Sequence, residues 1–219
     1  MLGALHVYDD PEPQGAALNM GVDEALLAGS TTAILRFYRW RRPSISFGYF
    51  GRYAEAAEQS GGREIVRRWT GGGLVPHGSD LTYSIIIPAS DPLFTRSSPE
   101  IYRLVHEAIR SALHANGRAA ELAADPAPKI SDACFANAVR ADVMSAGRKI
   151  AGAAHRRTRA ALLHQGSIQL PDLPDRFRHD LAQILCSRCE SKMLSDRILN
   201  VAREIAAAKY ETAAWLRRR

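Results

Sequence analysis

The sequence has few cysteines, few aromatic residues and no long apolar run. Its 219 residues include three cysteines, and this small, odd number excludes a disulfide framework and indicates reduced thiols. No run of eighteen apolar residues occurs, and residues 1–10 lack the basic start and long apolar centre of a secretion signal. The chain is 46% hydrophobic, which is enough for a buried core. We therefore expect a globular, cytoplasmic protein that does not enter a membrane.

The balance of charge limits the kind of partner. A formal net charge of +6 favours an acidic partner, which could be nucleic acid, an anionic cofactor or an acidic carrier protein. Aromatic residues make up only 7% of the chain, and no nucleic-acid-binding module is recognisable. We therefore expect no nucleic-acid partner.

Periodicity along the chain predicts the fold class. Apolar residues recur with a helical period in residues 16–28 and 100–115, and the pattern beyond Pro171 is helical and charged. β-branched and aromatic runs predict strands that include residues 33–38, 44–49, 64–67 and 81–87. The strands outnumber the helices and do not alternate with them as βαβ units. This predicts an α+β fold, a mixed, largely antiparallel sheet with helices packed against it.

Three consecutive glycines, Gly71, Gly72 and Gly73, form the first motif. They follow the basic pair Arg67-Arg68 and lead through His77 into a β-branched run. Glycine lets the backbone approach a ligand closely and adopt positive φ angles. The stretch lacks the spacing and the Lys-Ser/Thr ending of a phosphate-binding P-loop. It is therefore interpreted either as a binding loop that enters a strand or as a glycine-rich hairpin.

A lysine among small residues forms the second motif. Lys149 lies in the stretch from Gly147 to His155, which includes Gly152, Ala153 and Ala154. Small neighbours leave space around the long side chain, and its charge would favour a nearby thiolate or a developing oxyanion. The alternative is a surface lysine on an edge strand.

Cysteine chemistry is the third candidate feature. Cys134 lies fifteen positions before Lys149 in an irregular loop, and a thiolate beside a cation is a nucleophile. A buried cysteine that acts only as a small hydrophobe is the alternative. Cys186 and Cys189 have the spacing of half a zinc site, but no second pair completes it, so no metal is expected.

Several stretches, taken in order, resemble the biotin/lipoate protein ligase superfamily. Within it, the chain is similar to the octanoyltransferases that use a cysteine and a lysine, which resemble lipoate-protein ligase A in fold. The stretches that carry the resemblance are residues 18–27, 35–40, 46–50, the glycine loop with residues 81–84, Cys134-Phe135, residues 147–154 and residues 164–168.

The resemblance implies transfer of octanoyl from its phosphopantetheine thioester on acyl carrier protein to a lysine of a lipoyl domain. The acceptors would be lipoyl domains of 2-oxoacid dehydrogenases or the glycine cleavage H protein, and no bound cofactor is implied. Cys134 would carry the acyl thioester, and Lys149 would lower the pKa of that thiol and shuttle protons. The implied acyl-binding residues are Arg68, Gly71, Gly72, Gly73, His77, Gly152, Ala153, Ala154, His164, Gly166 and Ser167.

The resemblance also suggests a division of the chain and two other functions. Residues 1–170 would form the catalytic acyl-binding domain, and residues 171–219 a shortened C-terminal helical segment packed on it. Similar transferases carry arginine where this chain has Gly73, which favours the ATP- and Mg-dependent lipoate-protein ligases as an alternative. A non-catalytic acyl- or lipoyl-binding homologue is the third reading.

Overall fold

Helices cover both faces of a large mixed sheet in the structure, a computed structural model that describes residues 2–124 and 138–218. The strands are β1 (Leu5–Asp9), β2 (Ala33–Tyr38), β3 (Ser44–Phe47), β4 (Glu64–Arg67), β5 (Val75–His77), β6 (Leu81–Pro88), β7 (Glu121–Leu122), β8 (Val143–Ser145), β9 (Arg148–Arg157), β10 (Ala161–Ile168) and β11 (Cys189–Lys192). The helices are α1 (Ala16–Gly29), α2 (Tyr53–Gln59), α3 (Ser98–Ala115), α4 (Arg176–Leu185), α5 (Asp196–Ile205) and α6 (Ala213–Leu216), with a 3₁₀ turn at Pro92–Thr95 and a π-helical turn at Ala206–Tyr210.

The large sheet has the strand order β11-β1-β2-β6-β10-β9-β8-β7, and a small sheet has the order β4-β3-β5. Within the described ranges, β1 pairs in parallel with β11 and β2, and the other neighbours in the large sheet are antiparallel. The predicted mixed, largely antiparallel sheet with helices packed against it is confirmed.

Two central strands explain how one sheet carries helices on both faces. Every residue of β6 and β10 is buried, so both faces of these strands are covered by other parts of the chain. Ile85 and Ile87 pack in a core with α3 and α4, whereas Ile86 packs with α1 and α5. A capping box between Ser97 and Glu100 fixes the start of α3.

The structure corrects the predicted boundaries near Lys149. The sequence favours a strand over residues 139–144, but β8 begins only at Val143, because Ala141 has a positive φ of 69° that extended backbone does not allow. Strand β11 was not expected among the C-terminal helices. Its residues are exposed or half-buried, so it carries no apolar pattern, and it forms by backbone pairing with β1.

Residues beyond 170 pack on the rest of the chain through both a strand and a helix. Besides the pairing of β11 with β1, α5 lies so close to α1 that a Cβ on Gly21 would be 2.3 Å from the carbonyl oxygen of Ala202. The indole Nε1 of Trp215 donates to the carbonyl of Arg67 at 3.0 Å, and the Arg67 guanidinium donates to the carbonyls of Leu216 and Arg218. The last described turn therefore anchors the strand that leads into the glycine loop. In the described part of the chain, no helix has the length and apolarity needed to span a membrane.

Candidate active site

A narrow cavity lies where the small sheet meets β9 and β10 of the large sheet. The space between its walls, counted together with the solvent at its mouth, is about 410 Å³. The lining is mostly apolar and includes several polar side chains. The lining residues are Met20, Tyr38, Trp40, Ser46, Arg68, Val75, His77, Thr82, Gly152, Ala153, Ala154, Gln165, Gly166 and Ser167.

Most of the predicted acyl-binding residues meet at this cavity. Those that line it are Arg68, His77, Gly152, Ala153, Ala154, Gly166 and Ser167. Gly72 and Gly73 line a second cavity with Arg52 and Glu55. Gly71 accepts a hydrogen bond from Arg68 through its carbonyl, at 3.0 Å. Cys134 lies outside the described residues, so its role as nucleophile stays a prediction.

At two positions near the cavity, neighbouring atoms lie too close to the backbone for any residue other than glycine. A Cβ on Gly166 would lie 2.4 Å from the hydroxyl oxygen of Tyr83, so the ring of Tyr83 passes directly beneath the backbone of β10. A Cβ on Gly48 would lie 2.0 Å from the carbonyl oxygen of Gly72. The glycine loop therefore rests on the end of β3 without side chains between them.

A β-bulge directs Lys149 toward Gly152. Val143 pairs with Ala151 whereas Met144 pairs with Lys149, so Ile150 is an extra residue in β9, and such bulges re-aim side chains. An ideal Cβ on Gly152 would lie only 2.8 Å from the Lys149 ammonium nitrogen. The ammonium therefore occupies the space that a side chain at position 152 would fill, at the edge of the cavity.

Asp142 is the anionic partner of this lysine. Lys149 Nζ lies 2.8 Å from Asp142 Oδ2, and the Lys149 side chain is only 4% exposed. The same carboxylate accepts from the backbone N–H of Val139 at 2.6 Å and from the hydroxyl of Tyr102. Burial and the neighbouring Asp142 raise the pKa of Tyr102, so its proton stays on the hydroxyl and donates to the carboxylate. Lys149 is a buried, paired lysine, which contradicts the surface-lysine alternative.

A chain of hydrogen bonds links three polar residues that line the cavity, Arg68, Ser46 and His77. Arg68 Nη1 donates to Ser46 Oγ at 2.7 Å, and Ser46 Oγ lies 2.6 Å from His77 Nε2. His77 Nδ1 lies 2.8 Å from Asp80 Oδ2, and the ring of Trp40 stacks on the imidazole at 4.0 Å. Because a carboxylate only accepts, the proton sits on Nδ1 of His77, and Nε2 accepts from the Ser46 hydroxyl.

Burial sets the charge states in this chain. It lowers the pKa of His77, more than the hydrogen bond to Asp80 raises it, so the imidazole is neutral near pH 7. Burial by itself would raise the pKa of Asp80, but hydrogen bonds from His77, Ser167 and the backbone of Gly78 outweigh it and lower the pKa. The result is a fixed neutral imidazole held by an ionised carboxylate.

A second buried network supports the cavity from the α1 side. Arg36 binds Asp10 at 2.6 Å and Asp23 at 2.7 Å, with all three side chains excluded from solvent. Asp23 also accepts from Gln165 Nε2 at 2.7 Å, and Gln165 Oε1 accepts from the hydroxyl of Thr70 at 2.8 Å. Asp23 on α1 thus orients a cavity residue and the start of the glycine loop.

His164, predicted near the acyl site, faces away from the cavity toward α3. Its Nε2 lies 3.0 Å from the Tyr83 hydroxyl and its Nδ1 lies 2.6 Å from His155 Nε2. Burial lowers the pKa of His155 and of the nearby His106 to about 4, and that of His164 well below its usual value. These histidines are neutral near pH 7, and His164 contacts Tyr83, whose ring lies beneath the cavity residue Gly166.

Sequence reasoning missed the polar residues that act through a partner. Asp142 stands alone among apolar residues just before the hairpin that carries Lys149, and an acid at that place was the available signal. Asp80, three residues after His77, could have been found by the same reasoning. Ser46 carried no signal, because its pairing with His77 depends on the register of β3 against β5.

Comparison with known proteins finds a matching family model and similar sequences. Residues 15–206 match the family model of the lipoyl protein ligase A/B catalytic domain. An octanoyltransferase, LipM, of Oceanobacillus iheyensis is 37% identical over 167 residues, which are 72% of this chain and 61% of that protein. LipM of Kyrpidia tusciae is 32% identical over 213 residues, or 90% of this chain and 76% of that one. The chain thus spans roughly two thirds of the length of these relatives.

Solved structures share the fold. A T. acidophilum protein described as a lipoate protein ligase, with bound lipoic acid, superimposes with a TM-score of 0.76 at 23% identity over 98% of both chains. A lipoate-protein ligase A bound with ATP gives a TM-score of 0.74 at 23% identity, over 99% of this chain and 98% of that one. At this identity the likeness concerns the fold alone.

Proposed function

We propose that this chain, which belongs to the lipoyl protein ligase A/B catalytic domain family, is an acyltransferase that moves octanoyl groups in lipoate biosynthesis. Its similarity to octanoyltransferases over most of its length supports this activity. The donor is octanoyl thioesterified to the phosphopantetheine of acyl carrier protein, and the acceptor is a lysine of a lipoyl domain, in a 2-oxoacid dehydrogenase or the glycine cleavage H protein.

The position of Lys149 is the observation that carries the proposal. Its ammonium is buried against Asp142 and lies over Gly152, at the edge of a narrow cavity lined by small and apolar residues. An apolar lining suits an acyl chain, and a buried cation at the edge of the cavity stabilises the oxyanion and thiolate that form when a thioester reacts.

The reaction proceeds by two exchanges in our proposal. The Cys134 thiolate attacks the donor carbonyl, a C–S bond to Cys134 forms, and the bond to pantetheine breaks. The pantetheine thiolate takes a proton from the Lys149 ammonium. The acceptor lysine amine then attacks the Cys134 thioester, an amide bond forms, its extra proton returns to Lys149, and Cys134 leaves as a thiolate. No ATP is consumed, because the thioester is already activated.

We also propose that residues 1–170 form the acyl-binding domain and that residues 171–219 belong to the same unit. The pairing of β11 with β1 and the contacts of α5 with α1 support the second part of this proposal, that residues 171–219 belong to the same unit.

The test is intact mass after mixing the protein with octanoyl-acyl carrier protein, without ATP, beside a Cys134→Ala variant. We expect an octanoyl adduct that hydroxylamine removes and that is absent from the variant.

A specific residue favours a second candidate, an ATP-dependent lipoate-protein ligase. Residue 73 is glycine, and the resemblance implies arginine at this position in the transferases. The ligase would give no adduct without ATP, but a tightly held acyl-adenylate with ATP and Mg. A protein that binds octanoate and forms neither species would be the non-catalytic homologue.

A further inference from the structure

A surface beside the glycine loop, exposed at Phe50 and half-buried elsewhere, combines aromatic rings with arginines. We define the aromatic–arginine patch as Tyr49, Phe50, Trp69, Arg156, Trp215 and Arg218. Phe50 is 84% exposed and is the most prominent of these side chains. Its ring stands edge-on to Tyr49 at 5.0 Å, and Tyr49 packs against Trp215 at 5.7 Å. A large apolar ring held in solvent by other rings is characteristic of an interface anchor.

Stacking holds the two arginines in place. The Arg218 guanidinium carbon lies 4.2 Å from the centre of the Tyr49 ring, and that of Arg156 lies 5.1 Å from Tyr49 and 5.0 Å from Trp69. Neither arginine forms an ion pair with a carboxylate of the described ranges, and the Arg156 Nε is buried without a hydrogen-bond partner there. By contrast, nearby Lys209 is paired with Glu24 at 2.6 Å. The patch thus carries positive charge that its described neighbours do not neutralise.

The patch borders the cavity. Arg156 follows the cavity residue Ala154 by two positions on β9, which places both on one face of the strand. On the other side, the backbone N–H of Tyr49 donates to the carbonyl of Thr70 at 2.8 Å, and the Thr70 hydroxyl binds the cavity residue Gln165. A protein seated on the patch would therefore be held next to the acyl-binding cavity.

We propose that the aromatic–arginine patch docks the acyl carrier protein that delivers the octanoyl group. This inference rests on the proposed function. Carrier proteins are acidic as a class, which complements the unneutralised arginines, and Tyr, Trp and Arg are the residues that dominate the energy of protein interfaces. A carrier protein must also place its prosthetic arm into the cavity, so its docking surface has to adjoin the cavity rim.

The test compares Phe50→Asp with Met193→Asp. Met193 is 86% exposed, so the control makes the same charge change at an equally exposed apolar side chain outside the patch. Affinity for a fluorescent carrier protein whose octanoyl group is held by a non-hydrolysable amide is measured by anisotropy. For Phe50→Asp we expect at least about tenfold weaker binding, typical of losing an interface anchor, while Met193→Asp stays within about twofold of the unchanged protein.

A second measurement separates docking from chemistry. The rate of acylation from octanoyl-pantetheine, which has no carrier protein, should be the same in both variants. Arg156→Gln should weaken carrier binding and reduce its dependence on salt, because a charge pair is lost.

Three results would overturn the proposal: wild-type protein that does not bind the carrier protein, equal binding by both variants, or a Phe50→Asp defect confined to the lipoyl-domain acceptor. If binding behaves as expected but no acylation occurs with either donor, the proposed function fails and the docking surface stands.

Discussion

Replacing Gly152 with alanine should displace the Lys149 ammonium without unfolding the protein. The new Cβ would lie 2.5 Å from Lys149 Cε and 2.8 Å from Nζ. Carbon atoms pack at about 3.5–4.0 Å, so the end of the lysine must move by roughly 1 Å. The end of a lysine is flexible, and the backbone at Gly152 does not have a positive φ, so the chain itself accepts alanine.

The expected cost therefore falls on catalysis. Misplacing a reacting group by about 1 Å can cost on the order of 100-fold in rate. Stability should change by only about 1 kcal/mol, because a Gly-to-Ala change in compatible backbone lowers the entropy of the unfolded chain and offsets part of the strained ion pair with Asp142.

The assay is the initial rate of octanoyl transfer, with urea unfolding of the same samples. Gly29→Ala is the control, because no atom lies within 4 Å of its added Cβ. Gly166→Ala serves as a contrast, since its Cβ would meet the rigid Tyr83 ring at 2.4 Å and should destabilise the fold. A Gly152→Ala protein that is folded and fully active would refute the placement of Lys149 in the reaction.

Three further predictions concern buried ionisable side chains. Asp142→Asn should remove the carboxylate that lies 2.8 Å from the buried Lys149 ammonium, costing about 3 kcal/mol in urea unfolding and slowing transfer; unchanged stability would show that the pair does not form. Arg36→Met should destabilise the protein by about 3–5 kcal/mol through its two unpaired carboxylates. Burial already raises the pKa of Asp10, so its carboxylate is more readily protonated in the variant at pH 5 than at pH 8, and the loss of stability should be smaller at pH 5. A loss of stability that does not depend on pH would contradict this reasoning. Burial lowers the pKa of His106 from 6.5 to about 4, so between these values the folded state binds fewer protons than the unfolded state. The free energy of unfolding should therefore be highest above pH 6.5 and fall by about 3 kcal/mol as the pH drops toward 4. His106→Phe should show a flatter dependence of this free energy on pH.

Many strands and helices of this fold could be predicted from the sequence, because neighbouring residues are enough to define them. The β-branched run of β2 and the apolar period of α3 each define an element from neighbouring residues, and the structure has both. Strand β11 could not be predicted this way, because residues such as Glu190 and Lys192 become a strand only when β1 lies beside them.

The site follows the same division. The family resemblance implied that small residues on one strand, such as Gly152 and Ala154, bind the acyl chain, and they line the cavity. The pairing of Asp142 with Lys149 depends on a bulge, and that of Ser46 with His77 on a register across the small sheet. A bulge of one residue and a register have no fixed signature in a single sequence, so these partners became visible only in three dimensions.

The anchoring of Arg67 by Trp215 and Leu216 has a consequence for the order of folding. These residues are separated from Arg67 by 148 and 149 positions, and contacts of such long range form late, because a long loop must close first. The family match ends at residue 206, before this anchor. A fragment that ends at residue 206 would keep both sheets and α1 but would lose the hold on the glycine loop. We expect such a fragment to fold and yet to bind acyl groups poorly, so the boundary of the functional unit lies beyond the boundary of the recognisable family.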